Sequence, residues 1–398
     1  MKLGKISLMY FSNEDSRGGA EEHILALLRG LDRSYFRPHL VCTPLMAEQL
    51  APDMPGDVEV FPLVLRKPMQ VTAAFALASL IRGCGVDIMH SHLFYASLFA
   101  SPIAWLCHVP VVIETPHVRE AWRHGWRASY FIDRAIGYTV DRYVAVSQAN
   151  ARYLMEEKRI RPEKITVIRN GCDLTRFHPF HVVPAGMKEA LGFRQSDPVI
   201  AVIGRLEPQK GHRILVDALQ IVRTEFPQVR LVCVGDGSLR AELETYVSAS
   251  GLEDAVRFVG FQGNIADWFA LADMTVLPSF FEGLPIVAIE ALAAARPVVA
   301  TAVDGTPEIV VDGRTGFTVG PGDPSALANA IQRLLRDPEL CQALGRNGRQ
   351  FVVEEFDVRK QVQQTQDLYL HALASTDALG EDNPAAKLGV RGVHGCRT

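Results

Sequence analysis

No two cysteines in this 398-residue chain are spaced C-x-x-C, and the seven it has (Cys42, Cys84, Cys107, Cys172, Cys233, Cys341 and Cys396) are scattered and odd in number. That pattern argues against a disulfide framework and a zinc cluster and fits a reducing, cytoplasmic setting. Charge of one sign is missing too. The 41 basic and 45 acidic side chains are intermixed and leave a formal net charge of −4, no field for gathering nucleic acid, so no nucleic-acid partner is expected. There is no G-x-G-x-x-G, which counts against a nicotinamide enzyme. The start, MKLGKISLMYF, has too short an apolar part and no small-residue cleavage site for a signal peptide, and reads as a first buried strand. Residues 93–113 carry no formal charge and have about the length a bilayer demands, roughly 20 residues. Pro102 and Pro110 interrupt them, giving a helix near 95–106 and a β-branched strand at 111–115 instead of a span.

What is present is apolar side chain, 48 % of residues, enough for two cores because a single core stops growing at roughly 250–300 residues. Short β-rich runs alternate with helical periodicity throughout, the pattern of parallel sheets covered by crossover helices, so the class is α/β. Strands are expected near 5–11, 39–43, 58–63, 87–90, 111–115, 142–146 and 165–168, with helices such as 21–31 and 71–82 between them. They make one doubly wound domain over residues 1–177. His-Pro, Val-Pro and Ser-Asp-Pro steps then loosen the pattern and mark a linker at 178–197. Strands near 199–204, 230–235, 256–260, 275–278 and 298–301 make a second Rossmann-like domain over 198–355. Residues 356–374 read as an amphipathic terminal helix able to pack back on the first domain, and 375–398, without apolar period, as a disordered tail.

Three loops could meet phosphate. The first strand leads into Ser16-Arg17-Gly18-Gly19-Ala20-Glu21 and a helix, whose first amides point outward as an anion site, although Gly-Gly before a helix is more often just a tight turn. The second domain opens with Ile203-Gly204-Arg205 and, further on, Lys210-Gly211-His212. Those two cations are either ordinary surface charges or a grip on a diphosphate leaving group. Ser279-Phe280-Phe281-Glu282-Gly283-Leu284-Pro285 is a strand end and polar loop before a helix that carries Glu290, with Pro285 suited to the first helical position. Glu282 then stands at the loop mouth and Glu290 one to two turns along the helix. One carboxylate can face a sugar and the other accept from ribose hydroxyls, while two glutamates eight apart are, by themselves, commonly surface residues.

The Glu282-to-Glu290 spacing, E-x7-E, resembles the signature of retaining family 4 glycosyltransferases, also described as group 1, which have the GT-B fold of two Rossmann-like domains facing across a cleft. The resemblance extends in order through Arg17-Gly18-Gly19-Ala20-Glu21, Val167-Ile168-Arg169-Asn170-Gly171-Cys172-Asp173, Gly204-Arg205, Lys210-Gly211 and Val234-Gly235-Asp236-Gly237. It continues through Arg296-Pro297-Val298-Val299-Ala300-Thr301, Gly305-Thr306-Pro307-Glu308 and Gly313-Arg314-Thr315-Gly316-Phe317, so that about residues 3–372 are covered. It implies a donor on the C-terminal domain, with Arg205 and Lys210 on the diphosphate and Glu290 on the ribose. Glu282 would contact the transferred sugar beside the amides of Gly283 and Leu284, with Pro285 next to them in the substrate-binding loop, and the base would lie near 258–263, at Phe261. Gly18 and Gly19 would approach the phosphates from the other domain. His117, in Thr115-Pro116-His117, matches the family histidine that reaches the donor sugar or reaction centre, although Val118-Arg119-Glu120 follows where a small residue is common.

The implied reaction moves a hexose from a nucleotide diphosphate sugar, as co-substrate, to a saccharide or lipid-linked saccharide, with retention and with no metal or other cofactor. No carboxylate is obviously placed for double displacement, so same-face attack is favoured. His90-Ser91-His92 ends a strand, and H-x-H could suggest a metal; with no third ligand at suitable spacing, both are read as lining the cleft, His92 towards the acceptor. The stretch 119–142 mixes Trp122, Trp126, Tyr130 and Phe131 with Arg119, Arg123, Arg127 and Arg134. It suits either anionic lipid headgroups, as peripheral contact at the inner face of a membrane, or an amphipathic helix packed on the first domain. Two other readings stand beside transfer: a nucleotide-sugar 2-epimerase of the same architecture, and a catalytically inactive nucleotide-sugar-binding protein.

Overall fold

A computed structural model describes residues 4–119 and 129–377. Two compact units account for the chain: residues 1–168 with 359–398, and residues 169–358. The expected tail at 375–398 and the Trp122–Trp126 stretch lie largely outside the described residues.

In the N-terminal unit seven parallel strands, β1 (Ile6–Phe11), β2 (Phe36–Cys42), β3 (Glu59–Pro62), β4 (Ile88–His92), β5 (Val111–Thr115), β6 (Arg142–Ala145) and β7 (Ile165–Val167), lie in the order β3-β2-β1-β4-β5-β6-β7. The central strands β1, β4 and β5 are buried at every position, as a sheet covered on both faces requires. The helices are α1 (Gly19–Gly30), α2 (Pro44–Leu50), α3 (Val71–Gly83), α4 (Phe94–Leu106), α5 (Ser129–Thr139) and α6 (Gln148–Glu156). Pro102 sits inside α4 without ending it, at the cost of one backbone hydrogen bond. Among the described residues no helix is long and apolar enough to cross a membrane.

The C-terminal unit has six parallel strands, β8 (Val199–Ile203), β9 (Arg230–Val234), β10 (Val256–Gly260), β11 (Met274–Leu277), β12 (Val298–Thr301) and β13 (Gly316–Val319), in the order β10-β9-β8-β11-β12-β13. Its helices are α7 (Met187–Ala190), α8 (His212–Glu225), α9 (Arg240–Ala249), α10 (Ile265–Leu271), α11 (Ile286–Ala293), α12 (Pro324–Arg336) and α13 (Pro338–Glu355). β13 was not among the expected strands; its first residue is Gly316, where a Cβ would meet the Val298 carbonyl oxygen at 1.9 Å, so β-propensity yields there to close packing.

The division between units falls at residue 168, nine residues before the expected 177, because the chain after β7 already pairs within the second unit. Cys172 N–H donates to Phe356 O at 2.8 Å, and Val358 N–H returns to Cys172 O at 3.1 Å. Residues 178–197 are likewise built into that unit: Phe177 and Phe193 at their borders are buried, and Phe177 packs edge-on against Phe269. The final helix α14 (Val358–Asp377) starts two residues later than expected. From Arg359 onward it belongs to the N-terminal unit. There Gln366 Oε1 accepts the Asp32 N–H at 2.6 Å, and Gly30 leaves room for Val362, which a Cβ would approach to 2.7 Å.

Candidate active site

Parallel strands deliver their C-terminal ends, and the loops that follow, to one edge of each sheet, where α/β proteins place ligands. In the C-terminal unit the loop after β8 and the loop after β11 are bonded to each other: Phe280 N–H donates to Gln209 O, and Gln209 Nε2 to Phe281 O, each at 2.8 Å. Gly211, at φ +64 and with a hypothetical Cβ 2.1 Å from Pro278 O, is the residue that permits this approach.

The result is a direct contact between Lys210 Nζ and Glu282 Oε1 at 2.6 Å. Glu282 is 5 % exposed, so its charge would be costly without partners. It has several. Ser279 Oγ donates to the same oxygen at 2.7 Å, Thr301 Oγ1 holds the Ser279 carbonyl, and Asp304 Oδ2 accepts the Glu282 N–H at 2.9 Å. Asp304 has φ +42, a left-handed conformation that non-glycine residues rarely adopt, and its carboxylate is what that conformation aims.

Gly283, Leu284 and Pro285 are buried immediately before α11, and Asn170 Nδ2 holds the Leu284 carbonyl at 3.1 Å. Pro285 occupies the capping position and not the first helical turn, a shift of one residue. Glu290 follows on α11, half-buried. Arg205 is exposed beside Glu207, whose carboxyl is held below its usual range by the Ser238 amide first and by Arg205 among lesser causes. Phe261, just past β10, is 65 % exposed, an apolar ring facing solvent.

The strand ends of the N-terminal unit carry different chemistry. Gly18 caps α1, and Glu21 accepts the Gly18 N–H at 3.1 Å, the one half of a capping box a glycine permits, while also accepting from Ser12 Oγ at 3.2 Å. Burial raises the Glu21 carboxyl to about 7. Gly19 is exposed, whereas Arg17 is drawn aside by Glu22 and Asp53. His117, at φ +62, follows β5 and is 5 % exposed. Its Nε2 meets His92 Nδ1 at 2.9 Å.

His92 was expected to line the acceptor side, but it has no exposed surface and backs His117 from the sheet. His90 is also fully buried, spanned by Tyr369 OH at 2.6 Å and Thr115 Oγ1 at 2.7 Å. The third ring missing from the H-x-H reading is His23 of α1, whose centroid is 5.4 Å from that of His92 and 4.9 Å from that of His117. Burial, with the neighbouring rings adding to it, holds His90, His92 and His117 well below the ordinary histidine value, so these rings are neutral.

Asp304 and His23 escaped the sequence reading, and Ser279 entered it only as the first residue of its loop. The signal that could have found His23 is its place two residues past Glu21, on the buried face of α1. The expected membrane-contact segment lies outside the described residues for 120–128, and no side chain from 129 to 133 is described.

The family model described as Glycosyltransferase Family 4 matches residues 17–176, and the one described as Glycosyl transferases group 1 matches residues 186–351. The glycogen synthase of Mycobacterium tuberculosis is 31 % identical over 312 residues, 76 % of this chain and 72 % of that protein. The UDP-Gal:alpha-D-GlcNAc-diphosphoundecaprenol alpha-1,3-galactosyltransferase of Escherichia coli is 27 % identical over 303 residues, 74 % of this chain and 78 % of that one. The crystal structure of Anabaena Alr3699/HepE with UDP and glucose superposes with a TM-score of 0.80 at 22 % identity, covering 91 % of this chain and 99 % of that one, a likeness of fold. With its two parallel-sheet units, its paired Lys210 and Glu282, and both halves matched in order, the chain belongs to the group 1, family 4 glycosyltransferases of GT-B fold, enzymes that draw on nucleotide-sugar donors.

Proposed function

We propose that this enzyme transfers a hexose from a UDP-sugar to a saccharide or lipid-linked saccharide, with retention of anomeric configuration and without a metal ion. The observation that carries the reading is the Lys210–Glu282–Ser279 constellation on two interlocked loops. A cation already held by a buried carboxylate is positioned to take up diphosphate oxygens, and the carboxylate it releases can accept hydroxyl hydrogen bonds from the sugar. Arg205 would be the second cation and Glu290 the ribose acceptor, with the base against Phe261. A UDP donor is supported by the UDP named with the Anabaena structure, and a lipid-linked acceptor by the diphosphoundecaprenol substrate named for the Escherichia coli relative.

In same-face attack the acceptor hydroxyl oxygen bonds to the anomeric carbon as that carbon's bond to the diphosphate oxygen breaks. The acceptor proton passes to the departing diphosphate, whose growing negative charge Lys210 and Arg205 stabilise. These side chains supply the positive charge that a divalent ion supplies elsewhere, which is the physical case for metal independence. His117 would present a neutral ring to the donor sugar from the N-terminal unit.

The test is release of nucleotide diphosphate from UDP-, GDP- and ADP-sugars by chelator-treated protein, beside Glu282→Ala, with the product anomer assigned by NMR. One donor consumed by the wild type and spared by the variant is expected. Turnover that requires added metal, or an inverted product, would overturn the corresponding part of the reading.

A further inference from the structure

His23, His92 and His117 come from three separate elements, α1, the end of β4 and the loop after β5, yet one ring nitrogen from each lies within 4.8 Å of the other two. All three rings are buried, at 1 %, 0 % and 5 % exposure, and His117 carries most of what access there is. His92 Nδ1 is bonded to His117, while His92 Nε2 is buried and has no hydrogen-bond partner among the described residues. A buried ring nitrogen without a partner is a standing cost, and a lone pair on it is a ligand.

We propose that these three histidines form a binding site for a borderline-soft divalent ion of the zinc class, and that its occupancy inhibits transfer by withdrawing His117 from the donor sugar. The inhibitory consequence rests on the role proposed above for His117; the binding does not.

Imidazole is the only ligand type in the group. Hard cations such as magnesium or calcium want several oxygens, whereas zinc, cobalt and nickel accept three histidines with a fourth position open. Zinc–nitrogen bonds of about 2.0–2.1 Å put tetrahedral ligands roughly 3.3 Å apart. The nitrogens therefore draw together by no more than about 1.5 Å from the 4.8 Å limit, a movement side-chain torsions can supply.

An outer shell is also in place. Gln361 of α14 lies 2.9 Å from His23 Nδ1. Turning its amide by half a revolution presents the carbonyl oxygen to an Nδ1–H, the arrangement that fixes the ring and frees Nε2 to ligate. The ion would replace the His92–His117 hydrogen bond, so metal and catalytically poised His117 exclude each other.

The experiment titrates chelator-treated, full-length protein with cobalt(II) and follows the visible bands of tetrahedral coordination together with the paramagnetically shifted imidazole N–H signals of the wild type. Saturable bands with three imidazoles and no thiolate charge-transfer band are expected, displaced by zinc. His92→Ala and His23→Ala should weaken binding at least ten-fold, and Gln361→Leu about 10- to 100-fold. Cys84→Ser should leave the spectrum unchanged, since it alters the separate grouping of His39, Glu59 and Cys84. Absence of tetrahedral bands in the wild type, a thiolate band lost in Cys84→Ser, or undiminished binding in both histidine variants would overturn the site. The wild-type NMR reading stands even if a variant fails to fold. Zinc should also suppress donor turnover reversibly. Binding without that suppression would leave the metal site intact and overturn instead the placement of His117 at the reaction centre.

Discussion

At the strand ends of the N-terminal unit burial works against charge: His90, His92 and His117 are held well below the ordinary histidine value, and Glu21 is pushed up to about 7. At the matching edge of the C-terminal unit a buried carboxylate is answered by a partly buried cation, Glu282 by Lys210 at 2.6 Å. Both arrangements answer the same constraint, that an isolated charge removed from water is expensive. Neutralisation leaves ring nitrogens free to accept or ligate. Pairing leaves a cation that can exchange one anionic partner for another, which suits a diphosphate entering and leaving.

The comparison breaks first at Lys210. Lys210→Ala removes the shared charge, and turnover at saturating donor should fall about 10²–10³-fold, as for loss of one group that stabilises developing negative charge; a drop of less than about three-fold would mean that the pair is structural.

Glu21 tests the other side. Its carboxyl goes from 4.5 to about 7 on folding, so between those values the folded state holds a proton that the unfolded chain has lost. Stability is greatest below the lower value and should decline by up to ~3 kcal/mol as pH rises through the upper one. Urea unfolding at about pH 5 and about pH 8 measures this, and Glu21→Gln should flatten the slope. A wild type that gains stability over that window contradicts the neutral reading.

Tyr369 sharpens the comparison within the neutral cluster. Its hydroxyl meets His90 Nδ1 at 2.6 Å and Tyr10 OH at 3.1 Å. Tyr369→Phe strands both partners, and thermal or urea unfolding should register a loss of about 1–3 kcal/mol.

The smallest effect concerns Asp304. Asp304→Gly keeps the left-handed backbone and removes the acceptor for the Glu282 amide, so turnover should fall about ten-fold, near 1.4 kcal/mol, with melting little changed. Asp304→Asn retains an oxygen there and should stay close to wild type. Equal losses in the two variants would place the effect in the charge and not in the hydrogen bond.

The strands were legible because those that are buried on both faces read as unbroken apolar runs: Val199–Ile203 and Val111–Thr115 were placed within a residue of their observed ends. The loop residues Lys210 and Glu282 were legible as residue types at strand ends, and their contact was not, since it depends on Gly211 passing against Pro278 from 67 positions away in sequence. Asp304 could not be found at all from sequence: its role comes from a backbone angle. The assignment of His92 to the acceptor side failed for a related reason. An H-x-H at the end of a strand puts both rings on the same face, and nothing in that pattern says that α1 and α14 will cover the face. The early boundary at residue 168 has the same origin, a backbone pairing between Cys172 and Phe356 that local composition does not encode.

Tyr369 and Gln361 also set an order of events. The hydroxyl and the amide that complete the histidine cluster of the N-terminal unit are translated only after all of residues 169–358. At about 5–20 residues per second the ribosome takes roughly ten to forty seconds to cover that interval. For that long the nascent N-terminal sheet holds His90 and Tyr10 against an open face where α14 will dock, and the first half of the protein is finished last.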